Sequence, residues 1–179
     1  MEHKSILESS IWQVFKIFVN SPTKIHYIKE ISRQINLAPT SIKQHLLKLE
    51  SKNVITKKQG ERFKGFISNR NSQDFLFYKE IYNLINLRES GVIDYLSKLL
   101  YPEAIILYGS YSKGEDIETS DIDIFILSRT DKKIELERYE KVLKRNIHIL
   151  IEPTLKNLNK NLSQEINNGI IIYGYKKDG

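Results

Sequence analysis

The feature that most constrains this 179-residue chain is a pair of aspartates at the start of an apolar run, in the segment TSDIDIFIL that ends at Leu127. The run predicts a buried strand from Asp121 to Leu127, and residues i and i+2 of a strand share a face. Asp121 and Asp123 therefore point the same way. Two carboxylates on a core strand are costly unless they are paired or share a cation.

A divalent cation held by oxygen ligands is the simplest explanation of this pair, typically Mg²⁺ with waters and substrate phosphates completing its coordination. The preceding segment EAIILYGS predicts a buried strand that ends in a sharp turn at Gly109. Gly109 allows a phosphate chain to approach the backbone, and Ser110 offers an N–H and a hydroxyl donor. Lys113 follows as a possible counter-charge for the phosphates.

The whole pattern GSYSKGEDIETSDIDI resembles the signature of the DNA polymerase β-type nucleotidyltransferase superfamily, in which Gly-Ser precedes Asp-apolar-Asp. It shares Gly114 and Ser120 with the minimal nucleotidyltransferases of prokaryotes, and NNGIIIYG at 167–174 is similar to their closing strand. The resemblance implies a mixed β-sheet flanked by helices, with transfer of a nucleoside monophosphate from an NTP to a hydroxyl. Mg²⁺ or Mn²⁺ is the implied cofactor.

The same resemblance implies roles for individual residues. Asp121 and Asp123 match the carboxylates that hold the metals, and Gly109 and Ser110 match the contacts to the triphosphate. We add Lys113 and Ser120 as candidate nucleotide-binding residues.

One position departs from the family pattern. A third acidic residue is usual on a later strand, and here that strand, in RNIHILIEP, carries His148 instead. Glu152 lies on the same face, but four residues along a strand is about 13 Å, too far to substitute. Neutral imidazole suits Mn²⁺ or Zn²⁺ better than Mg²⁺. We therefore include His148 among the candidate catalytic residues.

The first half of the chain has a different character. Residues 1–70 carry 13 Lys and Arg against 5 Glu, a net charge of +8, whereas residues 71–179 carry 15 against 17, or −2. Apolar spacing predicts helices over about 5–19, 25–35 and 39–52, and VITKKQGERFKGFISN predicts a basic hairpin. Short helix, tight turn and longer helix make a helix-turn-helix pattern. With the hairpin, the segment resembles the winged-helix fold.

This N-terminal module predicts binding to double-stranded DNA. The helix face opposite Ile42, Leu46 and Leu49 offers base-edge donors and acceptors together with phosphate-binding cations. The candidate DNA-binding residues are Thr40, Lys43, Gln44 and Lys48 on the helix and Arg62 and Lys64 on the hairpin. A solvated basic surface in a lysine-rich protein is the alternative for any single one of them.

We expect an α+β protein with a winged helix-turn-helix domain at 1–70, a connector helix at 71–88 and a small nucleotidyltransferase domain at 89–179. An aromatic stripe in the connector, from Phe75 to Tyr82, favours packing against another domain or a homodimer partner. Cysteine is absent, which excludes disulfides and thiolate metal sites. No apolar run approaches the length of a membrane span, so a soluble cytoplasmic protein is expected.

Two functions remain open at this point. The first is a DNA-binding, metal-dependent nucleotidyltransferase whose acceptor is a nucleic acid, a small molecule or a protein, as in family members that act as antitoxins on a partner protein. The second is a DNA-binding regulator that senses a nucleotide without turning it over. His148 is the residue that separates the two.

Overall fold

The computed structural model describes residues 9–130 and 132–175. The chain forms two compact units, Met1–Lys79 and Glu80–Gly179. Among the described helices, none is long and apolar enough to cross a bilayer.

The first unit begins with three helices that enclose a small apolar core. They are α1 (Ser10–Asn20), α2 (Ile28–Ile35) and α3 (Pro39–Ser51). The predicted start of the first helix, residues 5–8, lies outside the described residues. α3 follows the predicted pattern, because Pro39 occupies its first turn and Ile42, Leu46 and Leu49 are buried. Asn36, in the left-handed conformation at φ 52°, makes the turn between α2 and α3.

A two-stranded antiparallel hairpin completes this unit, with β1 at Ile55–Gln59 and β2 at Lys64–Ser68. It is joined to the helices by a bridge between His26 and Phe66, whose backbone groups exchange N–H to O bonds of 2.8 and 2.9 Å. This bridge explains why α2 begins at Ile28 and not at Ile25 as predicted. The residues before Ile28 are extended so that they can pair with β2.

The predicted connector is a helix, α4, at Gln73–Glu89. The division between the two units falls within it. Its aromatic residues differ in burial: Phe75 and Tyr82 are buried, whereas Phe77 and Tyr78 are exposed. The aromatic stripe is therefore only partly used in the packing of this chain.

The second unit is built around a four-stranded mixed sheet in the order β5-β4-β3-β6. β3 pairs antiparallel with β4 and β6, whereas β4 and β5 are parallel. The elements are α5 (Val92–Leu100), β3 (Ala104–Tyr108), α6 (Gly109–Ser112), β4 (Ile122–Leu127), α7 (Glu137–Leu143), β5 (Ile147–Glu152), a 3-10 turn (Leu155–Asn157), α8 (Lys160–Asn167) and β6 (Ile170–Gly174). This arrangement confirms the predicted mixed sheet flanked by helices.

Alternation along the strands gives the sheet two apolar faces. Ile122, Ile124 and Ile126 pack with α5, α7 and the end of α4 in one cluster. Phe125 packs with Ile166 of α8 in a cluster on the opposite face. Asp123 shares the face of Phe125 by the period of two, so the aspartates lie at the end of β4 on the face that α8 covers.

Candidate functional site

Strand register brings Asp123 and His148 side by side. In the parallel pair of β4 and β5, Asp123 lies opposite His148, and in the antiparallel pair of β3 and β4 it lies opposite Tyr108. Glu152 lies opposite Leu127, at the other end of the strand pair. β5 therefore places His148 beside Asp123 and places Glu152 away from it. That His148 stands where the family carries its third acid stays a prediction.

The His148 ring lies between the two carboxylates. Its Nε2 is 3.7 Å from Oδ2 of Asp121, and its Nδ1 is 3.6 Å from Oδ1 of Asp123. The His148 side chain is 63% exposed, whereas the aspartates are about half as accessible, at 34% and 30%. A neutral imidazole has one N–H and one lone pair. In the neutral ring, one of these two nitrogens therefore has no proton to donate to the carboxylate that it faces. The exceptions are a charged ring, or a cation that lies between that nitrogen and the carboxylate.

The electrostatic environment disfavours the charged form of Asp123. Burial is the largest influence, and it raises the pKa of this carboxyl above its ordinary value. His148 opposes the shift, whereas the carboxylates of Asp121 and Glu165 add to it. Burial and the charge of Asp123 also raise the pKa of the Tyr108 hydroxyl. Perturbed groups of this kind are concentrated at functional sites, and a bound cation would stabilise both carboxylates in their charged form.

Gly109 is required by the geometry of this site. It has φ +72°, a conformation that L side chains rarely adopt, and a Cβ at this position would lie 2.5 Å from Oδ2 of Asp123. Gly109 therefore packs against the carboxylate of Asp123. A side chain at position 109 would occupy the space that this carboxylate takes.

The other predicted nucleotide contacts lie in the two turns around the aspartates. Ser110 is half-buried in α6, and its carbonyl accepts from the backbone N–H groups of Lys113 and Glu115. Lys113 is exposed at the end of α6. The Ser120 hydroxyl accepts from the N–H of Ile117 at 2.9 Å, which closes the turn before Asp121. The structure thus gives Ser120 a local structural bond, and nucleotide contact by Ser110, Lys113 and Ser120 stays a prediction.

Sequence reasoning missed Asn146, which precedes β5. Its Nδ2 donates to Oδ1 of Asp121 at 3.0 Å, and its carbonyl accepts from the N–H of Ile122 at 2.9 Å. Asn146 therefore orients Asp121 from the neighbouring strand. No sequence motif marks it, because the contact depends on the register of β5 against β4.

A buried polar network supports the loop between the two halves of the motif. Asp116 is buried and forms an ion pair at 3.4 Å with the partly buried Arg145. Asn83 donates to Oδ1 of Asp116 at 2.8 Å and to the carbonyl of Tyr111 at 2.9 Å. Buried charges of this kind need partners, and removal of one leaves the other uncompensated. The network fixes the loop between the Gly-Ser turn and Asp121. Arg145, one of its members, is the residue before Asn146.

The donor set fits a divalent cation that takes part of its coordination from a substrate. Within residues 9–130 and 132–175, no group of three or more acidic or histidine side chains could hold a metal ion. Two carboxylates on one face of β4, with Gly109 packed against one of them, match the way Mg²⁺ is usually held, by one or two carboxylates with waters and phosphates.

Residues 91–178 match the family model described as polymerase beta, nucleotidyltransferase. This match supports the predicted nucleotidyltransferase domain in the second half of the chain and suggests nucleotidyl transfer at the level of the family. A comparison with curated proteins gives no match. Members of the matched family generally use an NTP and a divalent metal, which agrees with the carboxylate pair and the Gly-Ser turn described above.

The first unit has a second candidate surface, on α3. Thr40, Lys43, Gln44 and Lys48 are all exposed, at spacings that place them on one face of the helix. Leu47 lies on the same face and is 47% exposed, a residue that the prediction left out. An exposed apolar side chain among polar ones can contact the methyl group of thymine. The structure thus gathers the predicted helix residues on a single accessible face.

The hairpin carries the other predicted contacts. Arg62 and Lys64 are exposed at and beside the turn that joins β1 to β2. Lys57 is held by Glu50 in an exposed ion pair of 2.9 Å. Arg62 and Lys64 are therefore accessible to a polyanion, whereas Lys57 is engaged by Glu50.

Proposed function

We propose that residues 89–179 form a nucleotidyltransferase domain that binds an NTP with Mg²⁺ or Mn²⁺ and transfers the NMP to an acceptor hydroxyl. The observation that carries this proposal is the contact between Gly109 and Asp123. This contact supports the proposal because a turn that would hold phosphate lies beside one carboxylate of the pair that would hold a cation, inside the region that matches the family.

The proposed roles follow from the positions of the side chains. Asp121 and Asp123 would hold the cation, which neutralises phosphate charge when bound. Gly109 and Ser110 would donate their N–H groups, and Ser110 its hydroxyl, to phosphate oxygens. Lys113 and Ser120 are further candidates for contact with the nucleotide.

In the reaction, the acceptor oxygen forms a bond to the α-phosphorus while the bond to pyrophosphate breaks. The acceptor hydroxyl must also lose its proton. We assign the proton acceptor to His148, because a neutral imidazole has an unprotonated nitrogen and this ring lies beside both aspartates. The exposure of His148 leaves it accessible to an acceptor.

The same lone pair of His148 can instead bind the cation, in which case the acceptor proton goes to solvent. Imidazole suits Mn²⁺ better than Mg²⁺, so in that case we expect weak activity with Mg²⁺ and higher activity with Mn²⁺. His148→Asp restores the acidic residue of the family pattern and should raise the rate with Mg²⁺.

The test is incubation of the protein with each labelled NTP, either metal and a host extract, followed by detection of transferred label. The double variant Asp121→Asn, Asp123→Asn should abolish transfer. It should also abolish the rise in melting temperature that metal plus NTP produces by mass action. Asp94→Asn is the matched control, because Asp94 is an exposed aspartate of the same unit and pairs only with an exposed arginine among the contacts described. An equal thermal shift in wild type and double variant would refute the metal site.

A nucleotide-sensing regulator is the alternative function. The observation in its favour is His148, which stands between the aspartates where the family usually has an acid. A protein that shows the thermal shift with metal and NTP, and yields no labelled product with any metal or with His148→Asp, would be a sensor.

We further propose that residues 1–70 form a winged helix-turn-helix domain that binds double-stranded DNA. Three helices, a basic hairpin bridged to them, and the exposed polar face of α3 support this proposal. Gln44 would read base edges, whereas Arg62 and Lys64 would contact phosphates.

Binding to labelled duplex at several salt concentrations tests the DNA proposal. Wild type should bind with an affinity that falls steeply with salt. Arg62→Ala or Lys64→Ala should weaken binding to all sequences, and Gln44→Ala should change sequence preference. Lys98→Ala, an exposed lysine of the other unit, is the control. Binding that does not depend on salt would contradict the proposal.

We also propose a protein contact through α4. The exposed aromatic rings of Phe77 and Tyr78 on α4 support a homodimer or a contact with a protein partner. Sedimentation of wild type and of Phe77→Ser at the same concentration would distinguish a monomer from a dimer formed through this surface.

A further inference from the structure

The tip of the hairpin carries an exposed aromatic ring. Phe63 is 71% exposed and belongs to the turn between β1 and β2. It is flanked in sequence by Arg62 and Lys64, both exposed. The one acid in the turn is Glu61. A large apolar side chain surrounded by cations is suited to a partner that is both anionic and able to stack against a ring.

The turn is held in a defined shape. The N–H of Gly60 donates to the carbonyl of Phe63 at 3.0 Å. A Cβ on Gly60 would clash with the Tyr27 hydroxyl, and one on Gly65 would meet the Tyr27 ring at 3.1 Å. Tyr27 precedes α2, so the hairpin tip is braced against the helical part of the unit. A braced tip loses little conformational freedom when it binds.

We propose that Phe63 acts as an apolar wedge that enters the minor groove of duplex DNA and partly unstacks a base step. The inference rests on the DNA binding proposed above and adds a contact that phosphate-binding cations cannot supply. Duplex DNA is the occupant that the charges favour, because the hairpin carries four Lys and Arg against one Glu. Apolar side chains inserted between base steps are a known means of bending DNA in minor-groove complexes.

The experiment uses the full chain and a labelled duplex that contains 2-aminopurine, whose fluorescence rises when it unstacks. Wild type should raise the fluorescence, and Phe63→Ala should lose that rise and bind about tenfold more weakly, since an aromatic contact with a base contributes roughly that much. The slope of affinity against salt should not change, because no charge is removed. Arg62→Ala should reduce the slope by about one and keep the fluorescence rise.

Two controls keep the outcomes distinct. Tyr175→Ala removes an exposed aromatic ring, 66% accessible, from the other unit and should leave DNA binding unchanged. Phe63→Leu keeps an apolar side chain and should retain part of the affinity. If wild type and Phe63→Ala bind duplex with the same affinity and the same fluorescence rise, Phe63 is not a wedge and the DNA proposal stands. If wild type does not bind duplex, both are wrong. A change of oligomeric state in Phe63→Ala would assign the ring to a protein contact and overturn the wedge.

Discussion

Replacement of Gly109 by alanine tests whether the Gly-Ser turn and the aspartates form one site. The substitution has two separate effects. The backbone at φ +72° imposes a strain of about 1–2 kcal/mol on any L side chain. In addition, the new Cβ would lie 2.5 Å from Oδ2 of Asp123, about 0.9 Å short of the 3.4 Å at which ordinary contact begins. The carboxylate must therefore move by nearly 1 Å or the turn must open.

A displacement of that size is large for a metal ligand. Ligand distances vary by about 0.2 Å in functional sites, and a misplacement of about 1 Å can lower a rate 100-fold. We therefore expect Gly109→Ala to lose most of the thermal shift with Mn²⁺ plus NTP and about 100-fold of any nucleotidyl transfer. The backbone strain alone should lower the melting temperature by about 4–8 °C for each kcal/mol.

Gly91→Ala separates the two effects. Gly91 has a similar φ of +78°, and a Cβ there would meet nothing within 4 Å among the described residues. Gly91 belongs to the same unit as Gly109. Gly91→Ala should therefore show the same backbone strain with no loss of ligand binding. Melting curves of both variants, with and without Mn²⁺ plus NTP, make the comparison. If Gly109→Ala and Gly91→Ala show equal thermal shifts with Mn²⁺ plus NTP, the contact between Gly109 and Asp123 has no role in ligand binding.

Three further outcomes follow from individual contacts. Asn146→Ala should weaken metal-dependent NTP binding about tenfold, measured by calorimetry, because Asp121 loses the donor that orients it; unchanged binding would count against this role. Glu165→Gln should weaken binding of Mn²⁺ about threefold, with a smaller difference at high salt, since it removes a charge that acts on Asp123; a salt-independent difference would contradict this. Burial lowers the pKa of His45, so protonation destabilises the folded first unit. The resistance of the first unit to urea, followed by the fluorescence of the single tryptophan, Trp12, should therefore fall as the pH drops below about 6.5. His45→Gln should reduce that fall, and equal pH dependence in wild type and variant would refute the role of His45.

The sequence predicted those parts of the fold that depend on local pattern. β4 begins and ends within one residue of the predicted strand because its isoleucines alternate with residues of the opposite face. α3 was predicted to within one residue because its apolar residues recur at helical spacing and Pro39 marks its start. The grouping of Asp121, Asp123 and His148 also followed from strand periodicity combined with the family pattern.

Features that depend on tertiary register were not predictable in the same way. The Asp116–Arg145 pair joins residues 29 positions apart in the sequence, and each looks like an ordinary surface charge when read alone. Asn146 reaches Asp121 from the residue before β5, and the influence of the Glu165 charge on Asp123 depends on how α8 packs against the sheet. Periodicity fixes the face of a residue on its own element. It does not state which element lies opposite.

The uneven charge of the chain bears on the choice of acceptor. The cationic surplus of +8 lies in residues 1–70, whereas residues 71–179 carry −2 and contain the proposed catalytic site. A nucleic acid acceptor would be attracted by the first part and weakly repelled by the second, so its transfer would depend on the same phosphate contacts as DNA binding. A protein or small-molecule acceptor needs no such contacts. Loss of transfer in Arg62→Ala would therefore identify a nucleic acid acceptor, because Arg62 belongs to the first unit and the aspartates to the second.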